Sequence, residues 1–241
     1  MIYVIGLGPG DAKNMTQRAL EALESSEIII GYDTYVDLVK KQFAHKQLIE
    51  SPMKDEVARC KRALALAKEG KDVALVSSGD AGIYGMAGVL LEVCEGSDIQ
   101  VEIIPGMTAA TSGAAVLGAP LVHDFAVTSL SDLLTPWSLI EERLHAAGKA
   151  DFVVVLYNPA SRKRAKYLQK ACNILLAYRP GSTPAGWVRQ IGRSGEEVRV
   201  LTLEEMAGEK VDMVTTVFIG NSSSRIINGK IVTPRGYREL S

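Results

Sequence analysis

Three glycine-rich stretches, each placed directly after a short apolar run, are the parts of this sequence best suited to chemistry. The first is Gly6-Leu7-Gly8-Pro9-Gly10-Asp11, after residues 2–5. The second is Ser77-Ser78-Gly79-Asp80-Ala81-Gly82-Ile83-Tyr84-Gly85, after residues 73–76. The third is Ile104-Pro105-Gly106-Met107-Thr108-Ala109-Ala110, after residues 101–104. Glycine lets backbone approach a ligand with no Cβ in the way. A dinucleotide fingerprint needs glycine three residues after Gly8, but Asp11 stands there, so that pattern fails. Pro9 removes a backbone N–H, which makes a phosphate cradle less suitable. Taken alone, the first stretch reads equally as a tight strand-to-helix turn. Its G-x-G-x-G spacing also resembles an ordinary Rossmann-type loop, with Asp33 as a ribose acceptor. Asp80 offers a carboxylate to a ligand hydroxyl or amino group and has the sign to sit near a cation. Thr108 serves a ligand or simply caps a helix.

The elements that must carry these loops follow from the apolar periodicity. Strands are expected over residues 2–5, 27–31, 47–50, 73–76 and 101–104. Helices are expected near 17–23, 34–42, 55–69, 86–94 and 108–117. Asn14 with Gln17 resembles a capping box for the first helix. Val57, Cys60, Leu64 and Ala67 share one face of the third, and Gly70 stands where a C-terminal cap belongs. Such alternation predicts a largely parallel sheet covered by helices. In open sheets of that type, ligands bind at the carboxyl ends of the strands. All three loops would then meet at one edge.

Gly118-Ala119-Pro120 reads as a linker, dividing the chain into α/β domains over 1–119 and 120–241. Beyond it, strands are expected over 125–129, 152–157, 185–188, 198–201 and 214–219. Helices are expected over 136–145, with Pro136 in the first turn, and over 164–178. Asn228-Gly229 between β-branched pairs predicts a tight hairpin. The second domain is therefore expected to hold a mixed sheet.

The chain has 241 residues, 47% of them hydrophobic and 23% charged, with a formal net charge of −1. That balance argues against a nucleic-acid partner, which needs a basic field. The three cysteines, Cys60, Cys94 and Cys172, are scattered, which predicts neither a disulfide framework nor a metal or iron–sulfur site. The first residues lack the basic and apolar regions of a signal peptide, and no apolar run reaches membrane-spanning length. A cytoplasmic protein without membrane contact is the expectation.

Gly8-Pro9-Gly10, then Ser78-Gly79-Asp80 with Ile83, then Pro105-Gly106-x-Thr108-Ala109 resemble the successive signatures of the tetrapyrrole (corrin and porphyrin) methylase family. In the second half, several strings are similar to the subgroup that methylates C(17) of precorrin-3B or cobalt-factor III. They are residues 118–125, residues 129–137, Tyr157-Asn158-Pro159-x-Ser161-Arg162, and Thr233-Pro234-Arg235-Gly236-Tyr237. The resemblance implies a homodimer of two-domain α/β protomers, with S-adenosyl-L-methionine held in the cleft between domains. By position, it implies cofactor contacts from Gly8, Pro9, Ser78, Gly79, Asp80, Ile83, Thr108 and Ala109 in the first domain. Tyr157, Asn158, Ile191, Thr215 and Thr216 are implied from the second. The family often has glycine where this chain has Ser78.

Methyl transfer from a sulfonium needs an electron-rich substrate carbon and correct positioning rather than a strong protein nucleophile. The resemblance further implies ring contraction, for which an acid or base would help. His123, Asp124, Ser129, Ser131 and Asp132 are the candidates. Arg162, Lys163, Arg164, Arg189 and Arg193 follow strand ends and could bind the carboxylates of a small-molecule tetrapyrrole. Three alternatives compete with C(17) methylation. They are a corrin methyltransferase acting at another ring position, an NAD-binding oxidoreductase, and a non-catalytic cofactor-binding module.

Overall fold

Isoleucine and valine crowd the strands of the first half, and the computed structural model buries them on both faces of one sheet. The structure describes residues 1–10, 12–161 and 163–237. The chain splits into two units, Met1–Ala109 and Ala110–Ser241. The first contains β1 (Ile2–Gly6), β2 (Ile28–Tyr32), β3 (Gln47–Ser51), β4 (Val73–Ser77) and β5 (Val101–Ile104). They lie in the order β3-β2-β4-β1-β5, with every pair parallel. Parallel sheets need both faces covered. On one face Val73 and Leu75 pack with Cys60, Leu66 and Leu90. On the other, Ala74 and Val76 pack with Leu23, Val36 and Phe43.

The helices of this unit are α1 (Gln17–Ser25), α2 (Asp33–Val39), α3 (Glu56–Lys68) and α4 (Ala87–Val93), whereas α5 (Ala109–Leu117) starts at the boundary and lies almost wholly in the second unit. α1 is capped by Thr16, whose hydroxyl accepts from Ala19 N at 3.1 Å, rather than by Asn14 with Gln17. Asn14 is occupied in a short 3₁₀ turn over Ala12–Asn14. Replacing Thr16 with alanine should destabilise the protein by about 1 kcal/mol, read as a shifted urea midpoint. Gly70 caps α3 with φ +86°, as expected, and Lys71 N returns to Leu66 O. The buried face of α3 is rotated from the expected one. Arg59, Cys60, Ala63, Leu66 and Ala67 turn inward, whereas Val57 is 53% exposed.

The second unit holds β6 (Gly118–Ala119), β7 (Phe125–Ser129), β8 (Val153–Tyr157), β9 (Pro184–Arg189), β10 (Glu197–Thr202), β11 (Thr215–Ile219), β12 (Arg225–Ile227) and β13 (Lys230–Val232). Its main sheet runs β10-β9-β11-β8-β7, mixed as expected, with β7 and β8 the parallel pair. The helices α6 (Trp137–Lys149), α7 (Tyr167–Leu176) and α8 (Leu203–Met206) contribute Ile140, Leu168 and Leu203 to its core. Residues 118–119, read from sequence as linker, instead form β6 and pair with β13. That pairing ties them into the second unit. Asn228 and Gly229 both have positive φ, +50° and +75°, and close the β12–β13 hairpin. The cysteines are buried free thiols. Burial pushes Cys60 up to about 11 and Cys172 up to about 12, so neither is a nucleophile near neutral pH.

Candidate functional site

At the carboxyl edge of the first sheet, the loops after β1, β4 and β5 are built into one another. Gly8 and Gly79 exchange backbone hydrogen bonds of 3.0 and 2.8 Å, and Leu7 N donates to Ser77 O at 2.9 Å. Both glycines have positive φ, +73° and +68°. A Cβ on Gly6 would stand 2.7 Å from Gly106 N and from Gly79 O, so this crossing requires bare backbone. One on Gly85 would stand 2.5 Å from Ala81 O.

Asp80 closes the arrangement. Its Oδ1 accepts from Gly82 N at 2.8 Å and Ile83 N at 3.1 Å, and its Oδ2 accepts from Gly106 N at 3.0 Å. A carboxylate has about four acceptor positions. Three are occupied by the protein, so Asp80 holds the second loop in shape and ties it to the third. Beside this knot the third loop packs at ordinary van der Waals distance. A Cβ on Gly79 would come no nearer than 3.9 Å to the backbone of Thr108 and Ala109. Ile83 and Met107 are 41% and 40% exposed. Asp33, the alternative ribose acceptor, is exposed at the start of α2, where its Oδ1 accepts from Thr34 Oγ1 at 3.0 Å. Asp11 lies outside the described residues.

The second unit gathers a separate group at one edge of its main sheet. Tyr157 ends β8, and its hydroxyl accepts from Ala110 N at 2.8 Å. Asn158 Nδ2 donates to Ser129 Oγ at 2.9 Å, and Ser131 N donates to the same oxygen at 3.2 Å. Asn158 and Gln190, at the ends of β8 and β9, carry positive φ of +52° and +51°. Such conformations in non-glycine residues cost of order 1 kcal/mol each and gather at functional sites. Ile191 is buried, and its Cδ1 would meet a Cβ on Gly113 at 3.1 Å. Thr215 and Thr216 are buried in β11. Thr215 Oγ1 donates to Asp212 Oδ1 at 2.8 Å.

The acid–base candidates separate to opposite ends of β7. His123 and Asp124 precede it, 51% and 86% exposed and 3.9 Å apart. Ser129 ends it, and Ser131 and Asp132 follow. Asp132 Oδ2 accepts from Tyr167 Oη at 2.6 Å, a bond that holds the Tyr167 phenol above its usual range. Spacing in sequence missed this split, because a strand between two clusters carries them apart.

The basic candidates differ in how far their charge is already used. Arg189 Nε donates to Asp212 Oδ2 at 2.8 Å, and its Nη1 to Glu197 Oε1 at 3.2 Å. Burial pushes Asp212 up, but the bonds from Arg189 and Thr215 outweigh it and leave the carboxyl below its ordinary value. Arg164 Nε donates to Ser161 Oγ at 3.1 Å, while Nη1 lies 3.8 Å from Asp132, buried and without a hydrogen-bond acceptor. Lys163 is exposed. Arg193 N donates to Gln190 O at 3.0 Å. Arg162 lies outside the described residues. Among the described residues no group of three or more His, Cys, Asp or Glu could hold a metal, and no helix is long and apolar enough to cross a membrane.

A family model described as tetrapyrrole (corrin/porphyrin) methylases matches residues 1–207. A Salmonella typhimurium protein named probable cobalt-factor III C(17)-methyltransferase is 50% identical over 239 residues, covering 98% of this chain and 99% of that one. A Sinorhizobium protein named precorrin-3B C(17)-methyltransferase is 38% identical over 250 residues, covering 100% of this chain and 98% of its own. The crystal structure of the methyltransferase CobJ superposes with a TM-score of 0.90 at 33% identity, over 97% of this chain and 99% of that one. With glycine loops knotted at the edge of a parallel sheet and kinship running the length of the sequence, this chain belongs to the tetrapyrrole (corrin/porphyrin) methylases.

Proposed function

We propose that the chain transfers a methyl group from S-adenosyl-L-methionine to C(17) of a precorrin-3B or cobalt-factor III type tetrapyrrole, with associated ring contraction, in cobalamin biosynthesis. The observation that carries this reading is the 50% identity to the Salmonella typhimurium protein over nearly all of both chains. The cofactor would supply an electrophilic methyl on a sulfonium. The residues fit such a group on two counts. Gly79 carries no side chain between the second loop and the backbone of residues 107–109, and Ile83 and Met107 present exposed apolar surface. The knotted loops would hold a ligand in one pose without rearranging when it binds, which is how positioning lowers a displacement barrier.

Gly8, Pro9, Ser78, Gly79, Asp80, Ile83, Thr108 and Ala109 remain the proposed contacts of the first unit, with Asp80 chiefly organising the others. Tyr157, Asn158, Ile191, Thr215 and Thr216 are those of the second. Ser129, Ser131 and Asp132 share an edge with Tyr157 and Asn158, and they are the acid–base candidates we carry forward. Arg164, paired with one acid at 3.8 Å, has more charge left for a carboxylate than Arg189, whose guanidinium already serves two acids. Family membership also carries the expectation of a cytoplasmic homodimer.

The test is incubation with labelled S-adenosyl-L-methionine and a trimethylated precorrin or its cobalt form, read by mass and NMR. One added methyl at C(17) is expected. A methyl on another ring carbon removes the C(17) assignment and leaves the family standing. Calorimetric titration with S-adenosylhomocysteine should saturate in the micromolar range, and absence of heat would count against the cofactor.

A further inference from the structure

Arg59 is a cation placed where cations are rarely found. It is 4% exposed, on α3, and among the described residues no carboxylate pairs with it. Its Nε donates to Ser51 Oγ at 2.6 Å, its Nη2 to Pro52 O at 2.9 Å, and its Nη1 to Met86 Sδ at 3.6 Å. Ser51 Oγ in turn donates to Gly31 O at 3.3 Å. One guanidinium therefore links the carboxyl ends of β2 and β3 to Met86. Burying a charge against neutral acceptors alone is unfavourable, and the geometry must be doing something else.

Met86 explains what is being held. It is buried, directly follows Gly85, and is the N-cap residue of α4. It joins the second glycine loop to that helix. Asp80 pins the entry of that loop to the third loop, and Arg59 pins its exit to the neighbouring strand ends. Between the two anchors, Ile83 and Tyr84 are exposed and Tyr84 has φ +53°. A loop in that conformation keeps its shape only while both ends are fixed.

We propose that Arg59 is a positioning residue for the second loop, acting on cofactor binding through Met86. The effect on binding rests on the cofactor reading above. Its charge has the wrong sign for contact with a sulfonium, which is a further reason to assign it a role through the loop.

Two measurements on the full-length chain separate the possibilities. Hydrogen–deuterium exchange of residues 78–86 in ligand-free protein reads the loop, and calorimetry with S-adenosylhomocysteine reads binding, both well below each variant's thermal midpoint. Arg59→Met should raise exchange in that segment selectively and weaken binding roughly tenfold, the scale of lost hydrogen bonds to a charged group. Arg59→Lys should recover little, because one ammonium cannot span three acceptors. If Arg59→Met fails to fold, Met86→Leu removes only the sulfur acceptor and should shift both readouts in the same direction by about threefold. Folded variants with wild-type exchange over 78–86 would overturn the positioning role. Raised exchange with unchanged affinity would overturn its link to the cofactor. Absence of binding by the wild-type chain would instead overturn the cofactor reading, and the exchange result would still decide the loop role.

Discussion

Asp80→Ala should weaken binding of S-adenosylhomocysteine by about 100-fold, and Asp80→Asn by nearly as much, with circular dichroism unchanged. The reason is the donor count. Three backbone N–H groups, from Gly82, Ile83 and Gly106, converge on one carboxylate. Hydrogen bonds to an ionised acceptor contribute about 1.5–3 kcal/mol each when dry, and less at a half-exposed site such as this. A combined loss of about 2.7 kcal/mol corresponds to the factor of 100. Asparagine has the same shape, but its amide turns two N–H donors toward backbone N–H groups. It can serve the pair on Oδ1 or the single donor on Oδ2, not both. The side chain belongs to neither apolar cluster of the first unit, so the sheet should stay folded. Asparagine binding within twofold of wild type would show that the carboxylate does not hold the loops together.

Arg179→Met should lower the stability of the second unit by about 2 kcal/mol, although it removes a buried charge. Arg179 is 4% exposed. Nη1 and Nη2 each donate to Phe152 O at 3.1 Å, and Nη1 also donates to Gly220 O. Phe152 precedes β8 and Gly220 follows β11, so the guanidinium closes the end of an antiparallel strand pair. Burial pushes its pKa down, with the nearby Asp151 charge opposing, and Nε has no acceptor. Those are real costs, and methionine relieves them. It also leaves the buried Gly220 carbonyl and the part-buried Phe152 carbonyl without these donors, at about 1–3 kcal/mol each, and that loss is the larger. Both tryptophans, Trp137 and Trp187, lie in this unit, so their fluorescence through a urea titration reports on it directly. A variant more stable than wild type would mean that the desolvation cost exceeds the value of the clamp.

Much of this protein is local in origin and was legible as such. Periodicity placed the strands within a residue or two, because apolar side chains facing both ways along four to six residues leave few alternatives. Asn228-Gly229 predicted its hairpin because the turn depends on two residues tolerating positive φ. The glycine loops were visible because each follows a strand directly. The capping of α1 was misread because several polar residues compete near a helix start, and the 3₁₀ turn that engages Asn14 decides among them. The inward face of α3 was misjudged because a buried arginine does not look like core in a sequence.

By itself, the sequence determined a first half built on a parallel sheet with three glycine loops at one edge, a mixed sheet in the second half, and membership of the methylase family. The tertiary structure alone decided how those parts are used. Asp80 is spent on three N–H groups contributed by two loops, the second of them 26 residues further along the chain. Strand β7 carries His123 and Asp124 away from Ser129 and Asp132, and Arg189 is claimed by acids 8 and 23 residues distant. Arg59 finds its acceptors on a strand end and on Met86, 27 residues away. Local patterns specify elements because backbone sterics and side-chain periodicity act over a few residues. Which polar group meets which depends on strand order, and strand order is a property of the folded chain.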